Sequence, residues 1–353
     1  MKIIDRYIGA AVFRSIALVL MVLIALDGLF RFVRELNSVG TGNYDQTEMV
    51  IYLLLTTPSH IVEFFPIAAL LGAITGLGAM ANQSELVVMR AAGVSLLRIA
   101  GAVLKAGFVL ILVIMLLSEF VVPQAEQFAQ SRRSQMLAEQ TALKTVNGFW
   151  SRDARSFLNI RGISPGGDIT DIYIYEFDDE HQLRTTTHAE KAIYDKGQWI
   201  LNGLSQSEIT VKGIKTRSFE SAQWDSLLSP ALISLIVVNP LQLSVRDLYG
   251  YYRYLSDNGQ EAGRYELAFW SRLMVPVSIV VMLLLAVPFI FGPLRGVSIG
   301  QRIFIGFLVG LGFFLFNQGF NHLGIVYNIP PILSASLPAL IFLILAIVMI
   351  RRI

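Results

Sequence analysis

The chain has 353 residues, of which 54% are hydrophobic and only 15% are charged, and its mean hydropathy is +0.59. In soluble domains about a quarter of the residues are charged. This composition therefore argues against a soluble enzyme and indicates an integral membrane protein. A formal net charge of +2 is too small to favour a nucleic-acid-binding protein. The sequence contains no cysteine, which excludes disulfides and thiolate metal sites.

Six apolar runs are long enough to cross a membrane, since a spanning helix needs roughly 20 mainly apolar residues. The predicted spans are 11–33, 61–81, 98–122, 267–291, 301–322 and 332–350. Lys2, Arg6 and Arg14 precede the first run, but that run is long and lacks a small-x-small cleavage site. It is therefore interpreted as a retained helix and not as a signal peptide. Pro58 and Pro66 predict a second helix that is kinked or extends beyond the bilayer.

The charged residues are concentrated between the third and the fourth predicted span. Residues 123–264 contain 15 of the 28 Lys and Arg residues and 17 of the 26 Asp and Glu residues. This segment begins with a polar helical continuation after Pro123. It then alternates with period 2, is rich in Tyr, Ile, Thr and Trp, and is broken by turns such as SPGGD at 164–168. The pattern predicts an all-β sandwich or jelly roll, followed by an amphipathic helix and a loop within 240–263.

The chain thus divides into a transmembrane half over 1–122, an inserted β domain with helical connectors over 123–264, and a second transmembrane half over 265–353. Lys and Arg residues in short loops set the orientation. With the N-terminus inside, the short outer loops 36–47 and 323–331 carry no basic residue. The cytoplasmic segments carry Lys2, Arg6, Arg90, Arg98, Arg295, Arg302, Arg351 and Arg352. We therefore expect both termini in the cytoplasm and the β domain on the far side.

The stretch NQSELVVMRAAGVSLLR at 82–98 is too short and too polar to span a membrane. It predicts a short amphipathic helix over about 82–93: Asn82 or Ser84 can cap its start, Glu85 lies in its first turn, and Gly93 suits the position after its end. Two interpretations are open at this point. The segment is either a connector that lies on lipid headgroups or a docking helix for a cytoplasmic partner.

Charged residues cluster near the outer end of the first span. Asp27 with Arg31 and Arg31 with Glu35 are i,i+4 pairs, so mutual neutralisation is one interpretation. The other is a basic rim that binds an anionic headgroup, because the planar guanidinium group matches phosphate. The rim would consist of Arg31, Arg34, Arg132 and Arg133.

Glycines recur at small-xxx-small spacing in the second span, at Gly72 and Gly76, and in the fifth, at Gly306 and Gly310. This spacing lets helix backbones approach closely in lipid. Packing within one subunit and a seam between subunits are both compatible with the pattern.

Catalytic and nucleotide-binding motifs are missing from the sequence. It contains no G-x-x-x-x-G-K-[ST] and no H-E-x-x-H, and its four scattered histidines do not form a metal-ligand set. Residues 162–166 fit G-x-S-x-G, but Pro165 follows the serine and has no N–H to donate to an oxyanion hole. The chain is therefore predicted to have no catalytic residue, metal or cofactor of its own.

Six stretches resemble the lipopolysaccharide export permeases of Gram-negative bacteria. They are DRYIG at 5–9, GNYD at 42–45, FFPIAALLGAITGLG at 64–78, SELVVMRAAG at 84–93, GRYELAFW at 263–270 and FIFGPLR at 289–295. The resemblance extends over essentially the whole chain, and DRYIG, GNYD and GRYEL are more similar to the G-type subunit than to its F-type sister.

The resemblance implies a six-helix α-helical integral membrane subunit with an inserted periplasmic β-jellyroll domain, located in the bacterial inner membrane. It implies a heterodimer with the F-type sister subunit, seated on a dimer of cytoplasmic ATPases that binds ATP and Mg²⁺, and a single-span periplasmic jellyroll partner. Such a complex extracts lipopolysaccharide from the outer leaflet and passes it to a periplasmic bridge. The lipid enters between the first helix of one subunit and the fifth of the other.

The resemblance also implies roles for particular residues. The segment matching 82–93 couples to the ATPase in the family, which implies a coupling set of Glu85, Leu86, Met89 and Arg90. Arg31 matches a basic position near the outer end of the first helix, whereas Asn37, Ser38 and Ser59 stand where some relatives carry lysine. The expected acyl-chain cavity is lined by Leu26, Phe30, Phe64, Phe313 and Phe316.

The sequence argues against functions of other classes. A gradient-driven lipid transporter would need ionisable residues at the membrane midplane, and a lipid-handling enzyme would need a catalytic cluster. The charges in this sequence lie near the predicted interfaces and the cluster is missing. A scaffold that tethers a β domain does not account for six spans and a docking helix. The sister F-type subunit is the alternative within the family.

Overall fold

The computed structural model describes residues 3–137, 149–153, 156–163, 169–178, 182–195, 198–210, 213–224, 243–291 and 298–352. Within these residues, six helices are long and apolar enough to cross a membrane. An antiparallel β sheet lies between the third and the fourth of them in the chain. The predicted fold class, a helical membrane protein with an inserted β domain, is confirmed.

The first transmembrane half is built from three long helices. They are α1 (Ile3–Glu35), α2 (Gln46–Asn82) and α4 (Leu96–Leu116). The second helix begins well before the predicted start at 61, because the Asp45 side chain accepts a hydrogen bond from the backbone N–H of Glu48 and caps it there. Pro58 and Pro66 lie inside this long helix. The helix is 37 residues long and runs through both prolines, and its extension beyond the bilayer stays a prediction.

The third spanning helix continues beyond its predicted end at 122. Helix α4 passes through a π-helical turn at Leu117–Val121 into α5 (Val122–Leu137). Pro123 accounts for the irregular turn, since proline has no N–H to donate and its ring crowds the carbonyl group one turn earlier. The predicted polar continuation is confirmed. Single π turns inside α-helices frequently occur at functional positions.

A short helix, α3 (Glu85–Ala91), connects α2 to α4. Ser84 precedes it in a left-handed conformation (φ 60°), and its side chain makes no capping hydrogen bond. The predicted side-chain cap is therefore wrong, and Asn82 still belongs to α2. Gly93 has φ 86°, as expected for a glycine that follows a helix end.

The second transmembrane half contains α7, α8 and α9, which begin and end within four residues of the predicted spans. Their bounds are Gly263–Phe291, Ile299–Val326 and Pro331–Arg351. Helix α6 (Val245–Asp257) precedes them and is amphipathic, as predicted. Its buried side chains Leu248, Tyr251 and Leu255 share a core with Ala268 of α7. Burial and the hydroxyl group of Tyr265 raise the pKa of Tyr251 above its usual range.

The β domain consists, in its described part, of one six-stranded antiparallel sheet. The strands are β1 (Phe149–Asp153), β2 (Ser156–Ile163), β3 (Ile169–Phe177), β4 (Leu183–Asp195), β5 (Gln198–Thr210) and β6 (Gly213–Trp224). Leu158, Ile172 and Trp199 are fully buried in its core.

The described strands pair in chain order, from β1 to β6. A jelly roll places strands that are distant in sequence beside each other, so the described strands do not show that order. Period-2 alternation predicts that strands exist, but it does not predict which strands pair. The SPGGD turn at 164–168, and with it the last three residues of the 162–166 motif, lies outside the described residues.

The six spans differ greatly in how much of their apolar surface is buried within the chain. In the most apolar stretch of each span, 78% of α2 and 61% of α7 is buried, against 22% of the first span and 17% of α8. Helices α2 and α7 therefore form the centre of the bundle. Helices α1 and α8 leave most of their apolar faces uncovered.

The glycine pairs pack helices of the same chain against each other. A Cβ atom at Gly72 would overlap the backbone of Ile16 on α1, and one at Gly76 would lie 3.2 Å from the Cα atom of Val12. A Cβ atom at Gly306 would lie 2.6 Å from Ile74 of α2. Of the two interpretations of this spacing, packing within the subunit is the one observed.

Replacing Gly72 with alanine is expected to destabilise the α1–α2 contact, because backbone atoms of Ile16 cannot move aside as a flexible side chain would. Overpacking of this kind costs about 1–3 kcal/mol. Gly101→Ala is the matched control, since its Cβ would meet no atom within 4 Å. The measurement is the thermal unfolding midpoint in detergent, and equal midpoints for the two variants would contradict the prediction.

Candidate functional site

Helix α3 is attached to α1 through its first residue, Glu85. The hydroxyl group of Tyr7 donates to Glu85, with Oη at 2.9 Å from Oε1 and 3.1 Å from Oε2. Two residues before Tyr7, Asp5 is only 5% exposed and lies 3.2 Å from Nζ of Lys105 and 3.6 Å from Nε of Arg98. The start of α1 is therefore tied both to α3 and to α4, at what we call the α3 end of the bundle.

The predicted coupling residues lie on two different sides of α3. Leu86 is 1% exposed and belongs to the transmembrane core, and Met89 packs against that core. Arg90 is exposed, with its guanidinium carbon 5.7 Å from the ring centroid of Phe291. Leu86 and Met89 hold the helix in place and do not face outward in this structure.

The outward face of α3 carries Val87 and Val88, which are 48% and 65% exposed. The coupling set that the family resemblance implies does not include these valines. A short helix held between two spans needs its own apolar stripe to pack on the bundle. This packing leaves Val87 and Val88 exposed.

At the opposite end, which carries the β domain, Arg31 is enclosed by its own chain. It is 8% exposed, its Nε donates to Asp27 Oδ2 at 2.7 Å, and its Nη1 donates to Thr56 Oγ1 at 2.8 Å. The predicted pair with Asp27 is formed. The predicted pair with Glu35 is not, because Glu35 accepts a hydrogen bond from Arg133 at 2.6 Å.

Two further arginines of the predicted rim are also engaged. Arg132 makes a bidentate ion pair with Glu48, at 2.6 and 2.8 Å. Arg133 contacts Glu35 and lies 5.2 Å from the ring centroid of Tyr52. Arg34 is exposed and, among the described residues, has no hydrogen-bond or ion-pair partner. The structure thus leaves one arginine of the four with a free guanidinium group.

Tyr44 completes the contact between α1, the following loop and α5. Its hydroxyl group donates to Glu35 Oε1 at 3.1 Å, and its ring is buried. Burial, and then the neighbouring carboxylate, raise the pKa of Tyr44 above its usual range. The phenol therefore stays protonated and keeps this hydrogen bond at any physiological pH.

The predicted acyl-chain residues do not line one surface within the chain. Leu26 and Phe30 are 53% and 61% exposed on α1, and Phe316 is 49% exposed on α8. Phe64 stacks on Phe314, with ring centroids 6.0 Å apart. Phe313 is 4% exposed and is part of the core. Three of the five are thus on the uncovered faces of α1 and α8.

A hydrogen-bonded joint connects the π turn, α7 and the chain that leaves the β domain. Arg272 of α7 donates through Nη1 to Ser118 Oγ at 2.7 Å and through Nη2 to the Leu243 carbonyl oxygen at 3.2 Å. Glu119 Oε2 accepts from the backbone N–H of Val245 at 2.9 Å. The Glu119–Val245 and Arg272–Ser118 contacts join residues more than 100 positions apart, which the sequence pattern does not predict.

The chain was compared with known proteins. It matches the family model described as lipopolysaccharide export system permease LptF/LptG over residues 6–352. It is 40% identical over 344 residues to the lipopolysaccharide export system permease protein LptG of Haemophilus influenzae, covering 97% of this chain and 96% of that protein. It is 37% identical over 353 residues to the protein of that name from Escherichia coli K12, covering 99% and 98%. The chain is a multi-pass membrane protein and belongs to the LptF/LptG family of lipopolysaccharide export system permeases.

Proposed function

We propose that this chain is the G-type permease subunit of an ATP-driven exporter that extracts lipopolysaccharide from the inner membrane and passes it to a periplasmic bridge. The observation that carries the proposal is the family match over residues 6–352, which includes both transmembrane halves and the β domain. Relatives named LptG at 37–40% identity support the G-type over the F-type assignment.

The proposed partners follow from the surfaces that the chain leaves uncovered. The exposed apolar faces of α1 and α8 support pairing with the F-type sister subunit and lateral entry of lipid between the two. The exposed valines of α3 support docking on a cytoplasmic ATPase dimer, which binds ATP and Mg²⁺ in place of this chain. The third proposed partner is the single-span periplasmic subunit, which extends the β domain.

We place the protein in the bacterial inner membrane with both termini in the cytoplasm, which puts α3 there too and the β domain in the periplasm. The support is the absence of Lys and Arg from the loops 36–47 and 323–331. The chain carries no catalytic role in this proposal: ATP hydrolysis belongs to the ATPase.

The test of this function is release of lipopolysaccharide from vesicles that contain the chain with its copurified partners. Export that requires ATP, and that stops when the ATPase is omitted, is the expected result. Export driven by an ion gradient without the ATPase would favour the stand-alone transporter and overturn the proposal. Failure of the chain to copurify with an ATPase would do so as well.

Arg34 is expected to contact the lipid headgroup and Arg31 to hold the bundle together. Arg34→Gln should lower photo-crosslinking of lipopolysaccharide to α1 about tenfold, since a charge-assisted hydrogen bond is worth about 1.5–3 kcal/mol. Arg31→Gln should instead lower stability by about 1–3 kcal/mol, because it removes the close ionic partner of the partly buried Asp27 and leaves only His60 Nδ1, at 3.3 Å, beside that carboxylate. The readouts are crosslinking yield and unfolding midpoint. Unchanged crosslinking in Arg34→Gln would remove Arg34 from the headgroup site.

A further inference from the structure

A cavity of about 350 Å³ lies between α2, α7 and α8, near the β-domain end of the bundle. Its apolar wall includes Ile67, Val275 and Phe314, and its polar wall includes Glu63, Arg272 and Asn317. A volume of this order is large enough for a small polar group together with the first carbons of attached chains. Ionisable side chains within a membrane-spanning bundle are costly, and they mark functional sites by default.

Glu63 brings a negative charge to this cavity without a close basic partner. Its side chain is 42% exposed, and its nearest basic atom is Nδ1 of His60, at the long distance of 3.7 Å. The same nitrogen lies closer to another carboxylate, at 3.3 Å from Asp27 Oδ2, so His60 is not a dedicated partner of Glu63. Arg31 makes no ion pair or hydrogen bond with Glu63, because its N–H groups donate to Asp27 and Thr56. The carboxylate is therefore left to a group that enters the cavity.

Arg272 brings a positive charge to the same cavity and forms no ion pair with Glu63. Three of its N–H groups are taken, by the Leu243 carbonyl oxygen and by Ser118. A guanidinium group has five N–H donors in a planar fork, so two remain for a further acceptor. A carboxylate on α2 and a guanidinium group on α7 thus face one cavity and remain apart.

The third wall of the cavity supplies neutral hydrogen-bonding groups. Asn317 and Gln318 of α8 line it, and among the described residues neither has a hydrogen-bond partner. An amide can both donate to a phosphate oxygen and accept from an ammonium group. The cavity therefore combines separated opposite charges, free amides and an apolar wall.

We propose that this cavity binds a zwitterionic phosphoethanolamine group attached to a lipid. Its ammonium group lies at Glu63, its phosphate group at the free donors of Arg272, and its acyl or sugar part along the apolar wall. An anionic headgroup without an amine leaves Glu63 unpaired beside a phosphate, and a simple amine leaves Arg272 without an acceptor. The group belongs either to a membrane phospholipid or to the exported lipopolysaccharide, and only the second source rests on the proposed function.

The test measures which lipids stay bound to the purified permease complex, by native mass spectrometry after exchange into equal amounts of phosphatidylethanolamine and phosphatidylglycerol. No ATP or lipopolysaccharide is present. Retention of phosphatidylethanolamine over phosphatidylglycerol by about tenfold is expected, the usual effect of one charge-assisted contact. Glu63→Gln and Asn317→Ala are each expected to reduce this preference several-fold.

Glu261→Gln is the control, because Glu261 is an exposed carboxylate outside this cavity. Equal retention of the two phospholipids by the wild type, or an unchanged preference in Glu63→Gln, would overturn a phospholipid site. A second arm, in phosphatidylglycerol alone, compares lipopolysaccharide with and without phosphoethanolamine. If lipopolysaccharide with phosphoethanolamine is retained over the form without it, and the first arm shows no preference between the phospholipids, the site belongs to the exported lipid. No preference in either arm overturns the proposal. Neither arm depends on transport, so its outcome is separate from that of the proposed function.

Discussion

Glu85→Lys is expected to reduce ATP-driven release of lipopolysaccharide at least about tenfold, because placing like charges opposite each other at an interface costs several kcal/mol. The substitution acts at two contacts. It removes the acceptor of the Tyr7 hydroxyl group, which joins α3 to α1. It also reverses the charge at the edge of the exposed face that carries Val87 and Val88. The measurement is ATPase activity and lipid release by the complex in vesicles.

Tyr7→Phe separates the two contacts, since it removes the hydrogen bond within the chain and leaves the carboxylate available to a partner. If Glu85 acts mainly on the ATPase, Tyr7→Phe should keep near-normal ATPase activity while Glu85→Lys does not. If the link to α1 transmits the movement, Tyr7→Phe should hydrolyse ATP but release less lipid per ATP.

Glu220→Lys provides the control for the change of charge, because Glu220 is exposed on β6, in the β domain. Its ATPase activity and lipid release should match those of the wild type. If Glu85→Lys also behaves like the wild type in both assays, Glu85 is not a coupling residue.

The bounds of a spanning helix could be predicted from the sequence wherever the helix and its apolar run begin or end at nearly the same residue. Helix α9 starts at Pro331 and α8 is capped by Ser298, so composition and local capping signals coincide there. Helix α2 starts at Gln46, far ahead of its apolar run, because Asp45 caps it there and Glu48 in its first turn pairs with Arg132 of α5. Hydropathy does not report such an extension.

The candidate site was predictable only for contacts between residues close in sequence. The Asp27–Arg31 pair is one helical turn apart and follows from spacing. The pairs Glu48–Arg132 and Glu35–Arg133 join residues of different helices that are 84 and 98 positions apart in the chain. From the sequence, all four arginines are equal candidates for binding a headgroup. The tertiary contacts distinguish them, because Arg31, Arg132 and Arg133 pair with carboxylates and Arg34 does not among the described residues.

The joint at the π turn is expected to control transfer of lipid to the β domain. The first two N–H groups of α6 have no partner within the helix. Glu119 accepts both, with Oε2 at 2.9 Å from Val245 N and Oε1 at 3.4 Å from Arg246 N. The third N–H, of Asp247, is satisfied by Ser244. The start of α6, and with it the exit from the β domain, is thus fixed to the π turn of the third span.

Glu119→Ala is expected to leave ATP hydrolysis within about twofold of the wild type and to lower lipid transfer to the β domain about tenfold. Loss of a capping acceptor costs about 0.5–2 kcal/mol, and 1.4 kcal/mol is a tenfold change in an equilibrium. The cost falls on the orientation of α6 and not on α3, which lies at the other end of the bundle. The measurement is the yield of lipopolysaccharide crosslinked to the β domain per ATP hydrolysed, which we call the transfer ratio.

Glu119→Gln keeps one oxygen acceptor and loses the charge, so its transfer ratio should lie between those of the alanine variant and the wild type. A role limited to stability would lower ATP hydrolysis and transfer together and leave their ratio unchanged. If instead the transfer ratio falls as hydrogen-bond acceptors are removed from position 119, the joint links movement of the spans to the β domain. Arg272 contributes to that link from the other side, because it holds the Leu243 carbonyl group directly ahead of the same helix.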